Sequence, residues 1–197
     1  MNKLRKFACA LIILSTSNAL YAAQVYTLDK DHTYAEWSVN HFGFSNVTGK
    51  FMAEGTLTFD ADHPDKSSVN VIIHTDNPNT GIPKLDDLLK GKNFFDIAEY
   101  PTATFQSKKV EMTGKDTGKV YGTLTIRGIS KDVTLNVKLV NHKTHPYYQK
   151  DALGFSADTS LQRSDFGIRG YLPGVSDDTN ITINSEAIQA DNQGNKS

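Results

Sequence analysis

The run Thr33-Tyr34-Ala35-Glu36-Trp37-Ser38-Val39-Asn40-His41 alternates, with Ala35, Trp37 and Val39 on one face and Tyr34, Glu36, Ser38 and Asn40 on the other. Val47 to Asp60 repeats the pattern, setting Val47, Gly49, Phe51, Ala53, Gly55, Leu57 and Phe59 against mostly polar partners. Successive side chains of an extended chain point to opposite faces. An alternation with one apolar face therefore marks an antiparallel strand, dry on one side and wet on the other. Working outward, Ser68 to Thr75, Thr102 to Met112, Lys119 to Arg127, Val133 to Val140, Leu153 to Leu161 and Thr179 to Ala187 read the same way. Turn chemistry separates them at Asp60 to Asp65, Thr113 to Gly118 and Arg127 to Ser130. About eight or nine strands joined by short turns form a meander whose edges must be hidden. Closure into a barrel hides them; a two-sheet sandwich is the competing architecture.

One segment breaks the alternation. Pro83 to Gly91 places Leu85, Leu88 and Leu89 at helical spacing, with Pro83 suited to the first turn and Gly91 to the stop. Phe94, Phe95 and Ile97 follow, and Tyr100-Pro101 returns the chain to extended geometry. A helix here is expected to plug one end of the barrel.

The N-terminus reads as a secretory signal peptide. Lys3, Arg5 and Lys6 precede an apolar run from Phe7 to Leu14, and small and polar residues follow up to Ala22-Ala23. The run is too short to span a bilayer, which needs about 20 apolar residues. Cleavage fits after Ala22 or Ala23, although Leu20 or Tyr21 at the third position before the cut makes the site imperfect. Residues 1–22 are thus assigned to the signal, 23–190 to the barrel and 191–197 to a polar tail. The only cysteine, Cys9, lies in the signal, so the mature part has no disulfide. An export signal without disulfides fits a bacterial periplasm.

The 197 residues carry 21 Lys+Arg against 22 Asp+Glu, and mean hydropathy is −0.42. Those values exclude a polytopic membrane protein and a disordered chain, and they lack the basic field of a nucleic-acid module. Loss of Lys3, Arg5 and Lys6 brings the net charge from −1 to −4. Charge alone does not draw such a protein to anionic membranes.

Candidate chemistry is sparse. His142 and His145 sit in a turn-like stretch before Pro146 with no Cys or Glu nearby to complete a zinc set, and they read as exposed loop histidines. Asp60, Asp62 and Asp65 lack the spacing of a calcium loop. No G-x-S-x-G, phosphate loop or H-E-x-x-H is present. No metal and no catalytic residue is expected. The aromatic load says more, because a barrel of about eight strands encloses either its own side chains or one small ligand. Rings on the wall, with Gly43, Gly49, Gly55 and Gly122 leaving space, suit an apolar guest.

The sequence resembles the YceI-like family of periplasmic, lipocalin-like polyisoprenoid-binding proteins. The resemblance begins at Tyr26-Thr27-Leu28-Asp29 and His32 to Val39 and continues through His41 to Phe51. Its most specific stretch is Phe94-Phe95-Asp96-Ile97-Ala98-Glu99-Tyr100-Pro101-Thr102-Ala103-Thr104-Phe105. Gly122 to Gly128, Gly154 to Ala157 and Arg163 to Gly167 follow in order.

The resemblance implies an all-β fold, an extended antiparallel eight-stranded lipocalin-like barrel with a short helical segment near one end. It implies that Trp37, Val39, Phe42, Phe44, Phe51, Phe94, Phe95, Phe105 and Phe155 line a ligand-binding interior. The ligand would be an amphiphilic isoprenoid lipid of polyprenyl or isoprenoid quinone type, carried or stored, with no other cofactor, no nucleic acid and no enzymatic activity. Transient contact with the inner membrane or its redox proteins is in keeping with that role, and monomer and homodimer both stay open. Where the family often has His-Leu-Arg/Lys before the double aromatic, this chain has Leu88-Leu89-Lys90, so head-group preference does not carry over. Two other readings stand beside the carrier: an enzyme acting on a lipid in the same cavity, and a stress-related structural protein whose core is filled by its own side chains. For export, N-terminal sequencing of protein released by osmotic shock should read from Ala23 or Gln24; cytoplasmic protein retaining Met1 would overturn the localisation.

Overall fold

A computed structural model describes residues 23–191; the expected signal peptide and all of the expected tail beyond Asp191 lie outside the described residues. In chain order the elements are β1 (Gln24–Leu28), β2 (Tyr34–His41), β3 (Ser45–Phe59), β4 (Ser68–His74), α1 (Pro83–Leu89), β5 (Thr102–Met112), β6 (Thr117–Ile126), β7 (Ile129–Thr144), β8 (Asp151–Gln162) and β9 (Val175–Gln189). All pairings are antiparallel. From β2 the sheet runs β9-β8-β7-β6-β5-β4, and β4 pairs back onto β3, which pairs with β2. The sheet is a closed barrel without a free edge, and the sandwich is excluded.

Nine strands fill eight positions, because β1 and β2 are two halves of one barrel strand. Leu28 of β1 lies opposite Gly55 and Ala187, and Tyr34 of β2 lies opposite Met52 and Asn184. Residues 29–33 stand where the neighbours have only Ala53-Glu54 and Ser185-Glu186, so the chain loops outward there. Backbone bonds from Asp29 N–H to the Glu186 carbonyl (2.8 Å) and from Ala53 N–H to the Thr33 carbonyl (2.9 Å) seal the break. With five residues, β1 is too short to announce itself by alternation, although Tyr26 and Leu28 are both buried.

Irregularities re-aim the faces. Pairing shifts between Val39 and His41, between Ser107 and Lys109, and between Leu139 and Asn141. An extra residue at a bulge reverses the in-out phase beyond it. In β5 the lumen therefore receives Ala103 and Phe105, then Val110 and Met112; in β7 it receives Leu135, Val137 and Leu139, then His142. His142 is exposed, as expected, but it lies on a strand at the cavity rather than in a loop. The β6–β7 hairpin is a two-residue turn with Arg127 (φ 52°) and Gly128 (φ 69°) both left-handed, the geometry that matches strand twist.

The two barrel ends differ. One carries the β2–β3 turn, residues 75–101 with α1, the β6–β7 turn and the β8–β9 link. The other carries the β3–β4, β5–β6 and β7–β8 turns. Helix α1 starts at Pro83 and is braced by Asp86, whose carboxylate accepts from the Thr80 N–H (2.8 Å) and hydroxyl (2.6 Å). At the opposite end Tyr26, Leu28, Leu57, Leu153 and Ala187 form a packed cluster under β1, β3, β8 and β9.

Gly55 marks a close backbone approach. A Cβ there would fall 2.0 Å from the Asn70 carbonyl oxygen of β4, so Gly55→Ala is expected to cost about 1–3 kcal/mol by urea unfolding. Gly154→Ala, whose Cβ would meet nothing nearer than 3.9 Å, should leave the midpoint close to wild type.

Candidate ligand-binding site

The inward faces enclose a cavity of about 640 Å³ running most of the length of the barrel. Its middle is walled by Val71, Phe105, Leu124, Val137, Phe155 and Ile183, and Leu85, Leu88 and Leu89 of α1 close over one end. Glycines keep the rings against the wall. The Trp37 indole lies over Gly49, where a Cβ would fall 2.5 Å from Cζ2; Phe105 lies over Gly122, with 2.4 Å to Cζ. Trp37 and Gly49 are direct cross-strand partners, and Gly122 is diagonal to Phe105. Of the other two glycines expected to make space, Gly43 is a turn residue (φ 78°), and Gly55 faces the β4 backbone.

Seven of the nine expected site residues line this cavity: Trp37, Val39, Phe51, Phe94, Phe95, Phe105 and Phe155. Phe95 stands edge-on to Phe51 (4.8 Å between centroids), folding the double aromatic across the α1 end. Phe94 covers Gly170 and meets Tyr171 at 6.1 Å. Phe42 and Phe44 do not line the cavity. The strand ends at His41, Phe42 takes a left-handed φ of 52°, and the Gly43 N–H is held by Asn40 Oδ1 at 2.8 Å. That turn sends Phe42 out over Gly174 and leaves Phe44 92% exposed.

Tyr171, Ile168 and Phe166 also reach the cavity from the β8–β9 link, which has no periodicity to reveal them. They are held by Arg163, a buried guanidinium whose Nε, Nη1 and Nη2 donate to the carbonyls of Ser176, Ile168 and Val175. Burial lowers the Arg163 pKa, and the nearby Asp177 opposes that. Asp177 accepts from the Ser164 N–H (2.8 Å) and hydroxyl (2.6 Å), which outweigh its own desolvation and hold it below the ordinary carboxylate value.

Polar groups gather at the end away from α1. The Tyr26 hydroxyl donates to Asp151 Oδ2 at 2.6 Å, and His142 Nε2 lies 2.9 Å from the same oxygen. Phe59 stands edge-on to both Tyr26 and His142. Burial, then the bond to Asp151, pushes the Tyr26 phenol up. Burial alone would raise the Asp151 carboxyl, but the bonds from Tyr26 and His142 outweigh it and hold it low.

A YceI-like domain matches residues 26–187, nearly the whole described barrel. The chain belongs to the YceI-like family. A UPF0312 protein of Yersinia pestis (strain Pestoides F) is 34% identical over 180 residues, spanning 90% of this chain and 92% of that one. The crystal structure of Campylobacter jejuni YCEI superposes with a TM-score of 0.69 at 32% identity, covering 77% of this chain and 90% of that one. A polyisoprenoid-binding domain from Saccharophagus degradans, implicated in plant cell wall breakdown, shares the fold at a TM-score of 0.63 and 15% identity, covering 85% and 99%. This YceI-like barrel thus has the closed eight-stranded architecture that the sequence resemblance implies.

The depressed Asp151 carboxyl has a pH consequence. A lowered folded-state pKa contributes stability that is present above the unfolded value near 4 and is lost as pH falls through the folded value. Tyr26→Phe should destabilise by about 1–2 kcal/mol at pH 7 in urea melts. That penalty should shrink only as pH falls below the ordinary carboxylate value and through the depressed folded-state value at which Asp151 takes up its proton.

Proposed function

We propose that this protein holds the apolar tail of an isoprenoid lipid in its barrel and acts as a periplasmic carrier or store. The observation that carries this reading is the cavity of about 640 Å³ with its almost wholly apolar wall. Its volume is that of a site for one small ligand, in the range of about 300–1,000 Å³. The polyisoprenoid-binding domain that shares the fold supports the choice of ligand class. An enzyme needs polar groups converging on a reacting atom, and over most of its length this wall has none to offer.

The α1 end is the proposed entrance. Phe42, Phe44, Ile82, Leu88 and Tyr171 are exposed there, and Leu88 and Tyr171 also line the cavity. A tail entering past them would leave the bilayer without crossing water, where each exposed methylene costs about 0.8 kcal/mol. Transient contact with the inner membrane belongs to this reading.

Trp37, the single tryptophan, supplies the readout. Its Nε1 is buried with no hydrogen-bond partner among the described residues, so its emission is sensitive to whatever enters beside it. Delipidated protein titrated with a prenyl quinone should change Trp37 emission and saturate near one equivalent. Phe105→Asp places an unpaired carboxylate on the wall and should weaken binding at least tenfold, about 1.4 kcal/mol, relative to Ser38→Asp. Circular dichroism establishes that each variant is folded. Folded wall variants that bind as well as wild type would exclude the tail from the barrel, and a native organic extract without prenyl lipid by mass spectrometry would favour a side-chain-filled structural role.

A further inference from the structure

The break between β1 and β2 does more than relieve the barrel strand. It sets Asp29 and His32 beside Glu186 of β9, and one donor atom from each lies within 4.8 Å of the others. Asp29 is anchored: its side chain is only 7% exposed, Oδ1 accepts from the Asp31 N–H at 2.9 Å, and Oδ2 accepts from the Tyr148 hydroxyl at 3.0 Å. His32 Nδ1 lies 3.2 Å from Asp29 Oδ2 on a ring that is 59% exposed and free to adjust. Glu186 is approached by His145 Nε2 at 3.7 Å.

The charge around these carboxylates is incompletely balanced. Among the described residues the basic groups within 4 Å of Asp29 and Glu186 are imidazoles, His32 and His145, which carry charge only when protonated, rather than lysine or arginine. His145 Nδ1 accepts from the backbone N–H groups of Tyr147 (3.2 Å) and Tyr148 (3.3 Å), so its proton sits on Nε2. His145 therefore turns an N–H and not a lone pair towards Glu186, and it is not a ligand. The remaining set is one imidazole and two carboxylates, with outer-shell donors already in place from the Tyr148 hydroxyl and the Asp31 N–H.

We propose that Asp29, His32 and Glu186 form a surface site for a borderline divalent cation of the zinc type, with water completing the coordination. The nitrogen donor disfavours calcium and magnesium, and the lack of sulfur disfavours copper(I). Bonds of about 2.0–2.2 Å place tetrahedral donors roughly 3.3–3.6 Å apart. Closure from the present spacing asks for about 1 Å of adjustment, which the exposed His32 ring can supply. The ion would clamp the break in the β1/β2 strand to β9, independently of what fills the barrel.

The chain supplies its own control. Asp60 and His63 repeat the Asp-x-x-His pair, with 3.5 Å between Nδ1 and Oδ1, but no third ligand converges on them among the described residues. Zinc chloride titrated calorimetrically into chelator-stripped, untagged protein should bind one equivalent and raise the melting temperature. His32→Ala and Glu186→Gln should each weaken binding at least tenfold, and His63→Ala should leave it unchanged. Either substitution is at a part-exposed position, and Glu186→Gln keeps the side-chain shape, so a folded variant is available. Failure of wild type to bind up to millimolar zinc, or equal affinity in the His32 and Glu186 variants, would overturn the site.

Discussion

A barrel of eight strands is just wide enough to be filled by its own side chains or to hold one small guest, and in this protein contacts between ring and glycine govern how much of the lumen the rings take up. Trp37 on Gly49 and Phe105 on Gly122 take up space in the wall instead of the lumen. An alanine at either glycine would lift the ring off the wall by contact with its Cβ. Phe94 on Gly170 repeats the device in the closure of the α1 end. Trp37 and Phe105 thus lie back against the neighbouring strand. The helical plug, the double aromatic and the Arg163 knot hold the α1 end, while Phe59 meets Phe155 and His142 across the lumen towards the other end.

Much of this was legible in the chain because strands that are dry on one side alternate. Trp37, Val39, Phe51, Phe105 and Phe155 sit on runs long enough to show a phase, and they lie on the inner wall. What could not be read came from three causes. Bulges reverse the phase without a local signature, which hid His142 in β7. Turns have no phase, so for Phe42 and Phe44, one and three residues beyond the end of β2, only the resemblance points inward, and a left-handed Phe42 turns the chain out. Partners distant in sequence leave no trace in spacing: Glu186 meets Asp29 only because β1 and β9 are adjacent in the closed sheet.

The apolar wall bears on affinity as well as on capacity. Each methylene moved from water contributes about 0.8 kcal/mol, and a long prenyl tail summed that way would exceed the practical ceiling of about 18–21 kcal/mol. The competing solvent for such a tail is the bilayer, which is equally apolar. Transfer between them is then nearly balanced on the proposed reading, and small features decide its direction. Leu88, with Leu85 and Leu89, makes the α1 end dry. The Tyr26–Asp151–His142 group makes the opposite end wetter. A molecule with one polar end experiences that difference as an orientation.

Stability and occupancy are coupled by the same wall. Truncation of core side chains costs about 24 cal/mol per Å³ of cavity left behind; applied to 640 Å³, that rate gives about 15 kcal/mol, the whole folding free energy of an ordinary domain. A lumen of this size therefore does not behave as a dry packing defect. The wall side chains are supported laterally by cross-strand neighbours, and ladder hydrogen bonds close around the full circumference. What they lack is contact on one face, which water supplies poorly and an apolar chain supplies well. With no cysteine after Cys9, no disulfide compensates for that missing contact. On the proposed reading, a guest that fills the lumen adds to the stability of the fold by its own binding free energy.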